Sequence, residues 1–94
     1  MDEIEEFINR RFKQDCDWLT GNCYYFAAIL KIRFPYLEIV YFPIAGHFAT
    51  LHRRLNYFYD CRGKYQTKEI FYFWDELRNV EPNLFERIVK DCVE

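Results

Sequence analysis

No apolar run in this chain approaches the roughly 20 residues that a membrane-spanning helix needs, so no membrane segment is expected. The opening residues Met1-Asp2-Glu3-Ile4-Glu5-Glu6 are acidic where a secretion signal would be basic and then apolar, and the expected location is the cytoplasm. Neither sign of charge dominates. Thirteen Lys and Arg against 15 Asp and Glu leave a formal net charge of -2, which argues against a broad surface for nucleic acid or anionic lipid. A local basic patch is left at His52-Arg53-Arg54. The four cysteines, Cys16, Cys23, Cys61 and Cys92, include no CxxC pair, so a structural zinc site has little support. In the absence of a secretion signal they are expected as free thiols rather than as two disulfides. No repeat, low-complexity tract or linker divides the chain, and its 94 residues make a single domain, 1–94, with no room for a second core.

What is there is ring area. Of all residues 51% are hydrophobic and 21% aromatic, enough to fill a packed core and to exclude intrinsic disorder. Ile4, Phe7, Ile8 and Phe12 recur at helical spacing and predict a helix over residues 2–14, with acids in its first turn to match the dipole. Residues 15–21 read as a linker. A second, central helix is expected over 23–33, apolar nearly all round in Tyr24 to Leu30 and stopped by Pro35. Strands are expected at 37–42, 47–52 and 57–60. Ala45-Gly46 is a turn or bulge, 53–56 the hairpin connection and 61–64 a turn. Residues 69–74 read either as a further strand or as the lead-in to a short helix at 75–78. A last helix begins at Pro82, with Leu84-Phe85, Ile88-Val89 and Cys92 as its stripe. The fold class is therefore α+β: an N-terminal helix and a cysteine-bearing central helix packed on a small antiparallel sheet, then a C-terminal helix.

Three residues in this frame carry chemistry. Cys23 opens the central helix after Thr20-Gly21-Asn22, where unpaired N–H groups and the positive dipole end favour thiolate. His47 follows Gly46 at the start of a strand. Asp60 ends the neighbouring strand, and hairpin pairing puts it close to cross-strand from Ala49 or His47. Taken singly, a cysteine in an apolar helix or a histidine in a strand is a core residue. Together, Cys23, His47 and Asp60 are a nucleophile, a base and an orienter. Cys23, His47, Asp60 and Cys61 also have the ligand types for a metal, although nothing in their spacing requires one, and no metal or other cofactor is expected. Cys16 reads as a buried or idle thiol, or else as a resolving one, and His52 as an exposed turn residue. Tyr24, Tyr25, Phe42, Phe48 and Trp74 read as core or cleft wall.

Gly21-Asn22-Cys23-Tyr24, Ala45-Gly46-His47-Phe48-Ala49 and Tyr59-Asp60 together resemble the papain-like thiol hydrolase superfamily in a minimal form, nearest to its NlpC/P60 and papain-like toxin groups, which are bacterial and phage-type. The resemblance covers roughly residues 18–63. It implies a papain-like core with Cys23 as nucleophile, His47 as base and Asp60 as orienter. Gln14, nine residues before the cysteine, stands too far away to serve the oxyanion as papain's glutamine does. That role falls to Asn22 or to backbone N–H groups. The expected function is a thiol hydrolase or acyltransferase acting on an amide, isopeptide or thioester bond in a peptide or acyl substrate. The alternative is a non-catalytic protein-binding module, an inhibitor or accessory factor, on the same scaffold. A homodimer whose shared interface completes the cleft is a third arrangement.

Overall fold

A computed structural model describes residues 2–12 and 23–90. Among the described residues the chain forms four helices and five strands, the expected α+β class: α1 (Glu3–Arg11), α2 (Cys23–Arg33), β1 (Glu38–Phe42), β2 (His47–His52), β3 (Tyr57–Asp60), β4 (Gly63–Tyr65), β5 (Tyr72–Phe73), α3 (Trp74–Val80) and α4 (Pro82–Ile88). α1 is entered through a capping box. Glu5 N donates to Asp2 Oδ1 at 2.8 Å, and Asp2 N donates back to Glu5 Oε1 at 3.2 Å, so two N–H groups that the helix cannot satisfy are paired. It stops sooner than its sequence pattern suggests, because Phe12 turns to an extended conformation while its N–H still reaches Ile8 O. α2 ends as expected: Lys31 Nζ holds the Pro35 carbonyl at 2.9 Å, a cation on the negative end of the dipole.

All strands pair antiparallel in the order β4-β3-β2-β1-β5. Alternation along the strands gives the sheet two apolar faces. One face turns Tyr41, Phe48 and Tyr59 toward the helices, where two clusters form. Ile4, Phe7 and Ile8 of α1 meet Phe26 and Leu30 of α2 over Tyr59, while Cys23 and Ala27 meet Tyr41, Phe48, Leu77 and Ile88. Ala27 is fully buried, as a small residue under a close helix–sheet approach should be. The opposite face carries Val40, Phe42, Ala49, Leu51 and Phe58, covered by Tyr65, Phe71 and Phe73.

Beyond residue 60 the sequence reading needs correction. The expected turn at 61–64 contains a short strand: Asp60 pairs with Gly63, which takes φ +105, and β4 continues to Tyr65. Residues 69–74 contain both of the expected alternatives, a two-residue strand against β1 and then the start of α3. The C-terminal region has two short helices, α3 reaching Val80 rather than Arg78, and Pro82 occupies the first turn of α4, where its missing N–H costs nothing.

Candidate active site

Three chain features converge at the end of the sheet where β2 starts and β3 stops. Gly46, in the β1–β2 turn, has φ +64, a conformation that L side chains rarely adopt, and its N–H closes the turn on Phe42 O at 2.8 Å. A Cβ there would meet nothing closer than the Tyr41 hydroxyl at 3.9 Å, so glycine is needed for its dihedral rather than for space. The turn delivers His47 at the first position of β2. The β2–β3 register, with Thr50 opposite Tyr59, brings Asp60 alongside.

His47 Nε2 donates to Asp60 Oδ2 at 3.0 Å, with side chains only 12% and 3% exposed. Cys23, the first residue of α2 and buried against the sheet, is the imidazole's other interacting partner. Phe42 lies parallel to the His47 ring at 6.4 Å and 10°, shielding one face of it. The structure therefore brings Cys23, His47 and Asp60 together in one chain of contacts. Asn22, the candidate oxyanion residue, lies outside the described residues, as do Cys16 and Cys92.

The electrostatics of this cluster favour charge separation. Burial pushes the Cys23 thiol up. Hydrogen bonds from His47 and from the Phe48 and Tyr24 main chain, with the imidazole's charge, outweigh that and hold it below its ordinary range. Burial alone would pull His47 down, but Asp60 and Cys23 push it up to about 9. Asp60, raised by burial, is lowered more strongly by His47 and Arg62, to about 2. Both shifts move the pair toward a Cys23 thiolate beside a His47 imidazolium.

Arg62 is the residue that the sequence reading missed. Its main-chain N–H donates to Asp60 Oδ1 at 2.8 Å, its Nε reaches both carboxylate oxygens at 3.2 Å, and its Nη2 reaches Oδ2 at 2.6 Å. The guanidinium lies 5.2 Å from the Tyr65 ring centroid and is 55% exposed. The available signal was its place two residues after an acid in a tight turn, within reach of an Asx-type contact. Arg62, Tyr65, Gln66, Thr67 and Glu69 line a cavity of about 300 Å³ beside the cluster. Cys61 points the other way and packs against the cluster formed by α1 and α2, so the structure does not bring it to the other three as a fourth metal ligand. Among the described residues no group of three or more His, Cys, Asp and Glu could hold a metal ion. Cys23 is a free thiol. His52, read as an exposed turn residue, is half-buried: its Nδ1 accepts from Leu55 N at 3.3 Å, and its ring meets Tyr36.

The Asp60–His47 contact makes stability depend on pH. Asp60 is depressed from 3.8 to about 2, so its contribution is present above about pH 4 and lost as pH falls toward 2. His47 is raised from 6.5 to about 9, so its contribution is complete below 6.5 and lost as pH rises through 9. The two shifts share the Asp60–His47 pair, with Arg62 adding to the first and Cys23 to the second. The shared pair is counted once at about 2 kcal/mol. Melting temperature against pH should be highest between about 4 and 6.5, and Asp60→Asn should flatten the decline on both sides. A wild-type profile that superimposes on that of Asp60→Asn would mean that the pair contributes nothing.

No helix among the described residues is long and apolar enough to cross a membrane. The sequence model of the family described as Phage YunG-like protein matches residues 1–90, and the chain belongs to that family. No curated protein and no solved structure matches it.

Proposed function

We propose that this member of the Phage YunG-like family is a papain-like thiol hydrolase or acyltransferase of bacterial or phage context, acting in the cytoplasm on an amide, isopeptide or thioester bond. The observation that carries this reading is the buried Asp60 carboxylate on His47 Nε2 at 3.0 Å, with Cys23 at the start of α2 as the imidazole's other partner. In the proposed reaction the Cys23 thiolate attacks the substrate carbonyl. The oxyanion is held by main-chain N–H groups at the start of α2, with Asn22 assisting. The His47 imidazolium gives its proton to the leaving amine or thiol as the carbon–heteroatom bond breaks, leaving an acyl-Cys23 thioester. Neutral His47 then takes a proton from water or an acceptor amine, which displaces Cys23 and releases product. Asp60 keeps the proton on Nε2, so that Nδ1 faces the sulfur. The substrate is a peptide or acyl compound. A homodimer would be a way of completing the cleft. The alternative, a non-catalytic binding module, draws support from Ile44, 81% exposed on the turn next to His47.

The test is the rate of iodoacetamide labelling at each cysteine against pH, read by mass spectrometry, in wild type and His47→Ala. Cys23 should label fastest, with a midpoint below the roughly 8.5 of a free thiol. His47→Ala should slow Cys23 labelling at pH 6 by about tenfold or more by removing that depression. If Cys23 labels no faster than Cys61 in wild type, it is a core thiol and the binding-module reading takes over.

A further inference from the structure

We infer that Arg62 is a positioning residue that weakens the hold of Asp60 on the His47 imidazolium, keeping its proton available for the leaving group. This rests on the reading of Cys23 and His47 as nucleophile and acid–base. The geometry behind it is competition. Asp60 Oδ2 accepts from His47 Nε2 at 3.0 Å and from Arg62 Nη2 at 2.6 Å, so two cationic donors share one oxygen, and the arginine has the shorter bond. Arg62 main-chain N–H donates to Oδ1 and its Nε reaches both oxygens, so the carboxylate is held from the arginine side as well.

The titratable groups around the imidazole are Cys23 from α2, Asp60 from β3, Arg62 from the turn after it and Tyr65 from β4. Cys23 and Asp60 stabilise the imidazolium. Arg62 opposes it, because a second positive charge on the same carboxylate neutralises part of what the ring sees. Tyr65 stays neutral, raised by burial and by the Asp60 charge. An imidazolium held by an unshared buried carboxylate would be a poor acid near neutral pH, since proton transfer is most effective when the donor titrates close to the working pH.

The two roles open to Arg62 predict opposite signs. If it only orients Asp60, its removal loosens the His47–Asp60 contact and His47 titrates lower. If it competes for the carboxylate, its removal frees Oδ2 and His47 titrates higher. The experiment is a side-chain NMR titration of His47 in wild type, Arg62→Gln and Arg62→Lys. Arg62 is about half exposed, so neither variant empties the core. The expected result is an upward movement of about one pH unit in Arg62→Gln. A smaller upward movement is expected in Arg62→Lys, which keeps the charge but cannot span both oxygens. An unchanged or lowered midpoint in Arg62→Gln overturns the inference. The titration reads His47 directly, so this failure is separable from failure of the catalytic reading, which would show as ordinary Cys23 labelling in wild type.

Discussion

On the proposed acyl-transfer mechanism, Asp60→Asn is expected to leave a folded protein whose rate is roughly 10,000-fold lower, an effect of this size being typical when the orienting acid of a triad becomes an amide. The carboxylate serves His47 with Oδ2 while both oxygens are engaged by Arg62. An amide has one oxygen to offer. With three Arg62 donors nearby that oxygen is claimed on their side, and the NH₂ group turns to His47 Nε2. Nε2 must then become an acceptor, the ring proton moves to Nδ1, and the ring can no longer take a proton from Cys23. Burst kinetics with an activated ester would show this as a lost acylation phase without a change in far-UV spectrum. Retained acylation would remove Asp60 from the mechanism. Alanine tests the other half of the interaction. It leaves His47 facing an apolar gap and should cost about 3 kcal/mol, the low end for breaking a buried pair, because Arg62 can turn to solvent.

The largest loss of stability is expected from Tyr59→Ala, at about 4 kcal/mol in urea unfolding with an unaltered denaturant slope. Tyr59 is fully buried and heads the largest such side chains in the fold, seated beneath Ile4, Phe7 and Ile8 of α1 and Phe26 and Leu30 of α2. Truncation opens a cavity at the centre of that cluster. Domains of this size carry only about 5–15 kcal/mol in total, so the variant should be partly unfolded at physiological temperature. Tyr59→Phe separates packing from polarity. The hydroxyl donates to Asp2 Oδ2 at 2.7 Å, but Asp2 keeps the Glu5 N–H and Lys64, so this change should cost only about 1 kcal/mol. Equal losses in the two variants would mean that the hydroxyl, and not the ring, holds α1 to the sheet.

The parts of the fold legible in the sequence were those with their own local period. The bounds of α2, β2 and β3 match the expected ones, because apolar runs closed by Pro35, Pro43 and the Arg53-to-Asn56 turn leave little choice. Within that frame, Cys23 at a helix start and His47 and Asp60 on hairpin strands could be placed near one another by register alone. Arg62 could not. It looked like a surface turn residue, and what distinguishes it is the direction in which its side chain folds back on Asp60. β4 and β5, three and two residues long, are too short to show a period of two, and their pairing is set by Tyr65, Phe71 and Phe73 settling on the far face of the sheet. Nor does any local signal say that α3 and α4 should place Leu77 and Ile88 in the cluster that contains Cys23.

The path between β4 and β5 acts as a ruler. These two strands are the opposite edges of the sheet, so the chain from Tyr65 to Tyr72 must travel its whole width, and it does so over the apolar face with Phe71 set against Phe42 and Phe58. Four inter-strand gaps of about 4.8 Å make a span of roughly 19 Å. Seven residue steps at full stretch reach roughly 23–25 Å. The slack is therefore between about one and two residues, so the length of this crossing limits the width of sheet it can span. A fifth gap would need roughly 24 Å, the whole of that reach. The width of the domain is thus written in the length of a segment with no regular structure of its own.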